Sequence, residues 1–211
     1  MLKITDINKV RLSGRVLEGP EYSHKTYGEA FYLMLLGIFR KSGNEDRIRL
    51  IVPEKLLGGR SPKENELLDI CGQIRTYNRR ENGRSKLEIM VFVQDISRGG
   101  NDFCYENEVD IEGYICKEPV RRSSPLGREI CDLLIAVNRP FNKSDYIPTI
   151  AWGRNAVNCS RFYVGDKVYI KGRIQSREYR KYIEEKGLVT KTAYELSAIR
   201  TELVNDDPGS V

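Results

Sequence analysis

The sequence predicts an all-β protein of two tandem OB-folds, five-stranded Greek-key barrels each with a short helix between strands three and four. Three observations carry this. The chain reads twice: NKVRLSGRV (8–16) returns as NEVDIEGYI (107–115), a shift of 99 positions from Asn8 to Asn107. The same shift pairs Gly28 with Gly127, Arg40 with Arg139, Asp46 with Asp145, Ile48 with Ile147 and Ile51 with Ile150, and a shift of 100 pairs Gly72-Gln73-Ile74 with Gly172-Arg173-Ile174. A period that long marks a repeated domain and not a solenoid unit. Second, apolar residues alternate with polar ones in the repeated motif (Val10, Leu12, Val16; Val109, Ile111, Ile115), the period of a half-buried strand. Third, each copy runs strand–strand–strand–helix–strand–strand, the order of the OB barrel.

Gly14 and Gly113 sit at the same point inside the first strands. Glycine there marks a bend or bulge, which a strand shared by both sides of a small barrel needs. Second strands are expected at 31–39 and 131–138. These continuous apolar runs could be helical by themselves, and flanking glycines, β-rich composition and the repeat favour strands. Third strands follow at 46–52 and 145–152, fourth at 67–77 and 167–177, fifth at 86–96 and 188–199, with hairpin tips at 81–83 and 184–187. Short helices are expected at 54–57 and 155–162. One local signal disagrees: Ser61-Pro62-Lys63-Glu64 has Ser, Pro and Glu where a helix start wants them. The repeat sets Asn65-Glu66 opposite Gly165-Asp166, just before a strand, and a match between halves outweighs a four-residue pattern. The expected domains are 1–98 and 105–204, joined by a linker (97–106) containing Gly99-Gly100, with a polar tail at 205–211 expected to be disordered.

At 211 residues the length suits two small domains. Split after Cys104, Lys+Arg against Asp+Glu is 18 to 14 in the first half and 17 to 16 in the second. Any nucleic-acid surface must therefore come from local clustering. The five cysteines form no C-x-x-C pair and His24 is the single histidine, which argues against structural zinc and for reduced thiols in the cytoplasm. No run has signal-peptide or membrane-span length, so a soluble protein without a membrane partner is expected. One histidine, no G-x-x-x-x-G-K-[ST] loop and no G-x-S-x-G elbow leave no catalytic constellation, so neither enzyme activity nor a cofactor is expected.

In the second copy LLIAVNRPF (133–141), IAWGRNA (150–156) and VYIKGRIQSREY (168–179) closely resemble the bacterial single-stranded DNA-binding protein family, SSB, over 107 to about 204. The first copy resembles it more weakly, through NKVRLSGRV and GQIRTY. The arrangement is similar to that of SSBs with two OB-folds per chain, which implies a homodimer bringing four barrels together. The resemblance also implies base stacking on Tyr146, Trp152 and Tyr179, with Phe141 a further ring in the loop after strand two, and phosphate contacts from Arg154 and Arg177. Arg121, Arg122, Arg139, Arg173 and Arg180 are weaker candidates for the same groove. Such a site tolerates any sequence because every base has a π-face, and a stacked base is worth roughly 1–3 kcal/mol. Phosphate neutralisation supplies the rest and makes binding salt-dependent. Plainer readings stand beside these. Trp152 shares a face with Ile150 and could be core, the tyrosines could be ordinary strand residues, and most arginines only solvate a surface.

The first copy departs from the pattern. Arg47, Pro53 and Arg79 stand opposite Tyr146, Trp152 and Tyr179, so the stacking trio is missing. Arg40, Lys41, Arg47, Arg49, Arg75, Arg79, Arg80 and Arg84 supply charge instead, with Tyr77 and Tyr27 as isolated rings. This copy either binds DNA mainly through phosphates, with Arg47, Arg75, Tyr77 and Arg79, or serves pairing and scaffolding; the first is the expectation. The ending NDDPGSV has no acidic, Phe-tipped peptide of the kind the family uses to recruit replication and repair proteins. The expected function is sequence-tolerant single-stranded DNA binding in replication, repair or recombination. The alternative is an OB-fold interaction module, as in a primosome or mobile-element accessory factor, with weak or no DNA binding.

Overall fold

The computed structural model describes residues 7–81, 84–124, 126–183 and 187–204, with the backbone alone at 79–81, 84–86, 181 and 183. The expected hairpin tips fall largely outside these residues, and the tail at 205–211 entirely so. The first barrel is built from β1 (Asn8–Thr26), β2 (Glu29–Phe39), β3 (Glu45–Pro53), α1 (Glu54–Leu57), β4 (Leu67–Glu81) and β5 (Arg84–Arg98). It closes in the order β1–β2–β3–β5–β4–β1, antiparallel except for β3 with β5. The second is built from β6 (Glu106–Ile115), β7 (Val120–Ser123), β8 (Glu129–Arg139), β9 (Lys143–Trp152), α2 (Arg154–Cys159), β10 (Lys167–Ile183) and β11 (Gly187–Leu203). It closes as β6–β8–β9–β11–β10–β6, with β9 parallel to β11 and β7 added beside β8. Each barrel is thus the expected OB-fold.

Alternation fills each interior from one side of every strand. Val10, Leu12, Leu36, Ile48, Leu50 and Ile74 are buried in the first barrel, and Val109, Ile111, Ile135, Ile147, Ile170 and Leu196 in the second. The repeated motif places its residues for specific reasons. The side-chain amides of Asn8 and Asn107 each bond both backbone groups of an isoleucine on the neighbouring strand, where the ladder ends: Asn8 with Ile74 (3.0 and 2.8 Å) and Asn107 with Ile174 (2.8 and 3.0 Å). Gly14 lies where β1 leaves β4 for β2, and Gly113 where β6 leaves β10 for β8. A Cβ would sit 2.7 Å from Gly37 O at the first and 2.6 Å from Ala136 O at the second, so only glycine lets the strand bend over.

Two expectations change in detail. The second helix stops at Cys159, short of 162, because Arg161 N and Phe162 N bond Asn158 O and Cys159 O in tighter i→i+3 turns. The helix-start pattern at 61–64 makes no helix. Residues 58–66 run as turns, with Asn65 at φ 64°, and Glu66 gathers Arg60, Arg98 (3.1 Å) and Lys63 N (3.2 Å). The repeat therefore wins over the local signal.

The two barrels form one sheet through β1 and β6, antiparallel with Val10 opposite Val109. This centres a pseudo-two-fold axis, since Asn8 faces Ile111 and Leu12 faces Asn107. The axis relates a reciprocal polar seam. Asp46 Oδ1 accepts from Ser176 N (2.9 Å), while Ser176 Oγ accepts from Arg47 N (2.8 Å). In the mirror position Asp145 Oδ1 accepts from Thr76 N (2.7 Å), while Thr76 Oγ1 accepts from Tyr146 N (3.0 Å). Both carboxylates are 0% exposed, and each has an arginine from its own barrel: Arg40 grips Asp46 through two nitrogens, and Arg139 Nε lies 3.1 Å from Asp145. Arg75 reaches Asp145 from the first barrel at 3.4 Å. A buried ion cluster tolerates poorly the loss of one member. Asp145→Ala, which strands Arg139, Arg75 and Thr76 N, is expected to cost about 3–5 kcal/mol of unfolding free energy. Urea denaturation measures it, and a loss below about 1 kcal/mol would show the seam to be incidental.

Candidate nucleic-acid interface

On β9 the odd residues Asp145, Ile147, Thr149 and Ala151 are buried, so the even ones point outward. Trp152 is the last of these and is 36% exposed; Tyr146 lies on the same strand face at 48%. The indole is therefore not a core residue, and Ile150, half-buried, shares its outward face. Tyr179 lies on the β10 arm that extends past the barrel, half-exposed, and Arg177 and Arg154 are exposed. Phe141 stands 95% exposed in the β8–β9 turn at φ 64°, followed by Asn142 at φ 55°. A bulky residue in the left-handed region is strained, and here the turn holds an aromatic ring out in solvent.

Beside Trp152 runs a groove of about 560 Å³, lined by Arg40, Arg128, Glu129, Gly153, Arg173, Gln175 and Ser197. Arg173 Nε is buried there with no hydrogen-bond partner among the described residues. Arg40 belongs to the first barrel, so the groove spans the seam. In the sequence Arg40 stands only among the loose basic residues of the first copy, and Arg128 carries no signal at all. The signal available was the pairing of Arg40 and Asp46 with Arg139 and Asp145, which served as proof of the repeat and carried no role.

The remaining candidates divide. Arg121 and Arg122 are exposed on β7 and paired with Glu129 (2.7 Å) and Asp132 (2.5 Å). Both stay on the same barrel as Trp152. Arg139 lies in the seam, committed to Asp145 and not to the groove. Arg75 lies in the seam too; burial lowers its pKa and Asp145 opposes the shift. Arg47 is partly exposed, 3.5 Å from Glu18, and Tyr77 is exposed on β4. Arg79 is on β4, and its side chain, like the residues at 82–83, is outside what is described. Arg180 is exposed on β10.

Glu195 is a further acid set among these cations. It lies opposite Gln175 on β11, and burial holds its pKa above the ordinary glutamate value despite Arg177, Arg122 and Arg40. Among the described residues, no group of three or more His, Cys, Asp or Glu could hold a metal ion. The surface is thus a shallow cationic track with outward rings, suited to binding an extended anionic polymer with flat groups.

The fold and this surface define an OB-fold protein of the nucleic-acid-binding type, with two barrels in one chain. The model of the single-strand binding protein family matches residues 106–203, the whole second barrel. Single-stranded DNA-binding protein 1 of Clostridium acetobutylicum is 34% identical over 37% of this chain and 84% of that protein. Single-stranded DNA-binding protein A of Bacillus subtilis is 30% identical over 42% of this chain and 56% of its own length. The chain spans about half of several other relatives. The wild-type single-stranded DNA-binding protein of Thermus aquaticus superposes at a TM-score of 0.78 and 19% identity, covering 99% of this chain and 98% of that one, a likeness of fold across both barrels. The chain belongs to the single-strand binding protein family.

A carboxyl whose folded-state pKa is raised by burial weakens the fold while ionised. The penalty is full above the folded pKa and fades as pH falls through it toward the unfolded value. Glu195→Gln is therefore expected to raise the thermal midpoint at neutral pH, with the gain shrinking in acid. Equal gains at both pH values would mean that desolvation of this carboxylate is not the cause.

Proposed function

We propose that this protein binds single-stranded DNA without catalysing a reaction and with little regard for sequence, in replication, repair or recombination. The observation that carries the reading is the outward Trp152 beside a cationic groove that runs onto the other barrel. Tyr146 and Tyr179 continue the stacking surface, Phe141 adds a ring at its edge, and Arg154, Arg177, Arg173 and Arg128 face the phosphates, with Arg40, held on Asp46, forming part of the groove wall. The backbone of Tyr146 is held by Thr76 of the first barrel, so the seam preorganises the site. Family membership and the names of the relatives support the same function. Nothing in the structure favours the interaction-module alternative.

The test is a titration with oligo-dT. Trp152→Ala combined with Tyr179→Ala is expected to keep the fold and lose about 2–6 kcal/mol of affinity, two stacked bases' worth. Four or five neutralised phosphates would give a slope of log K against log salt of about −3. If a long oligo-dT neither shifts the wild-type protein in a gel nor quenches Trp152 at low salt, the reading is lost.

A dimer of chains, bringing four barrels together, is part of this proposal. The outward side of the joined sheet sets unlike charges on its two central strands: Lys9 and Arg11 on β1 lie beside Glu106, Glu108 and Asp110 on β6. Two of these rows already meet within the chain, as Arg11 with Glu108 (2.6 Å) and Glu106 (3.4 Å). An inverted second copy would lay basic row on acidic row. Light scattering is expected to give twice the chain mass at low salt; a stable monomer under those conditions refutes it.

A further inference from the structure

The geometry points to a second base-stacking platform, on the first barrel, formed by His24, Phe31 and Phe92, none of which matches a stacking position of the second. It rests on the reading of the protein as a binder of unpaired nucleic acid and extends it to the barrel whose aromatic trio is missing.

The platform arises from an exchange across one strand pair. In the second barrel Trp152 on β9 lies opposite Ile130 on β8. At the equivalent point of the first barrel Pro53 on β3 lies opposite Phe31 on β2. Opposed residues of an antiparallel pair share a face, so the ring keeps its place on the barrel while the strand that carries it changes. The next strand differs as well. Ser197, opposite Arg173, leaves the groove open in the second barrel, whereas Phe92, opposite Gln73, fills the matching position in the first. Phe92 is flanked by the fully buried Val91 and Val93, so it points outward.

The rings form a continuous ladder. His24 stacks on Phe31 at 5.0 Å and 14°, and Phe31 meets Phe92 at 6.0 Å and 44°. Phe31 and Phe92 are half-buried and His24 is exposed, so the ladder opens to solvent at the β1–β2 hairpin. That hairpin ends in Tyr27 at φ 48°, 105% exposed, followed by Gly28 at φ 83°. A tight turn of this kind prefers Asn or Gly at Tyr27's position. An aromatic held there against its backbone preference repeats the strained, solvent-facing Phe141 of the second barrel. The charges around the ladder are mixed: Lys25 is exposed, and Lys55 is paired with Glu29 (3.4 Å). Its ligand is therefore the base and much less the phosphate, namely one or two unpaired nucleobases lying on an aromatic face.

The experiment uses the full chain with two probes. An oligo-dT of about 8 nucleotides fits one barrel and reports through Trp152 quenching; one of about 30 nucleotides reaches both barrels. Phe31→Leu keeps an apolar cross-strand contact, and His24→Ala alters only the exposed end, so the second carries the test if the first fails to fold. Each is expected to weaken the long probe by about tenfold with the short probe unchanged. The salt slope should stay that of the wild type, because a lost ring releases no counterions. Unchanged affinity for the long probe, or an equal loss for both probes, overturns the platform and leaves these rings as hairpin packing. Failure of the wild type to bind either probe would instead sink the function proposed above.

Discussion

Two buried carboxylates hold the molecule in its functional shape. Asp46 and Asp145 each take a backbone N–H from the fourth strand of the opposite barrel and an arginine from their own. A carboxylate out of water is tolerable only when its lone pairs are filled. Each barrel therefore completes a site that the other cannot satisfy alone. The β1–β6 pairing supplies the backbone continuity, while the reciprocal caps tie β3 to β10 and β9 to β4 across the seam. Thr76 Oγ1 holds the amide of Tyr146, and Ser176 Oγ that of Arg47.

On this symmetric frame the two faces have diverged. Around Trp152 the small Ser197 and the neutral Gln175 leave a groove. At the corresponding places the first barrel has Phe92 and Arg75. Arg75 is drawn inward to Asp145 and to Gln73, so its charge stabilises the seam and is not spread on the surface. The groove itself is a joint product, because Arg40 of the first barrel lines a cleft whose ring belongs to the second.

Much of this was legible in the residues. The repeat set the number of barrels, and it overruled the helix-start pattern at 61–64 because that pattern is a four-residue preference, easily spent on the Glu66 turn. The stacking aromatics of the second barrel followed from family likeness; alternation only set Trp152 on the face of Ile150, and the structure makes that face the outward one. Arg139, expected in the groove, and Arg75, expected on a phosphate of the first barrel, both turn into the seam for a physical reason: charge is visible in a sequence, but the buried acid that consumes it is not. Asp46 and Asp145 stand out in the sequence only through the repeat, since nothing local distinguishes a solvated aspartate from a buried cap. The His24–Phe31–Phe92 ladder was equally hidden, its members lying on three strands with no shared spacing.

The sequence by itself determined what depends on neighbours along the chain: alternation, the bend at Gly14 and Gly113, the five strands that close each barrel, to which the structure adds β7, and the identity of the rings on β9. Barrel closure and seam formation decided the rest. Ser176 finds Asp46 across 130 positions and Thr76 finds Asp145 across 69. Contacts of that span exist only after both barrels have closed and met along β1 and β6. Periodicity carries information about which side of a strand is buried. It carries none about which distant strand will lie opposite, and both the groove and the seam are made of such oppositions.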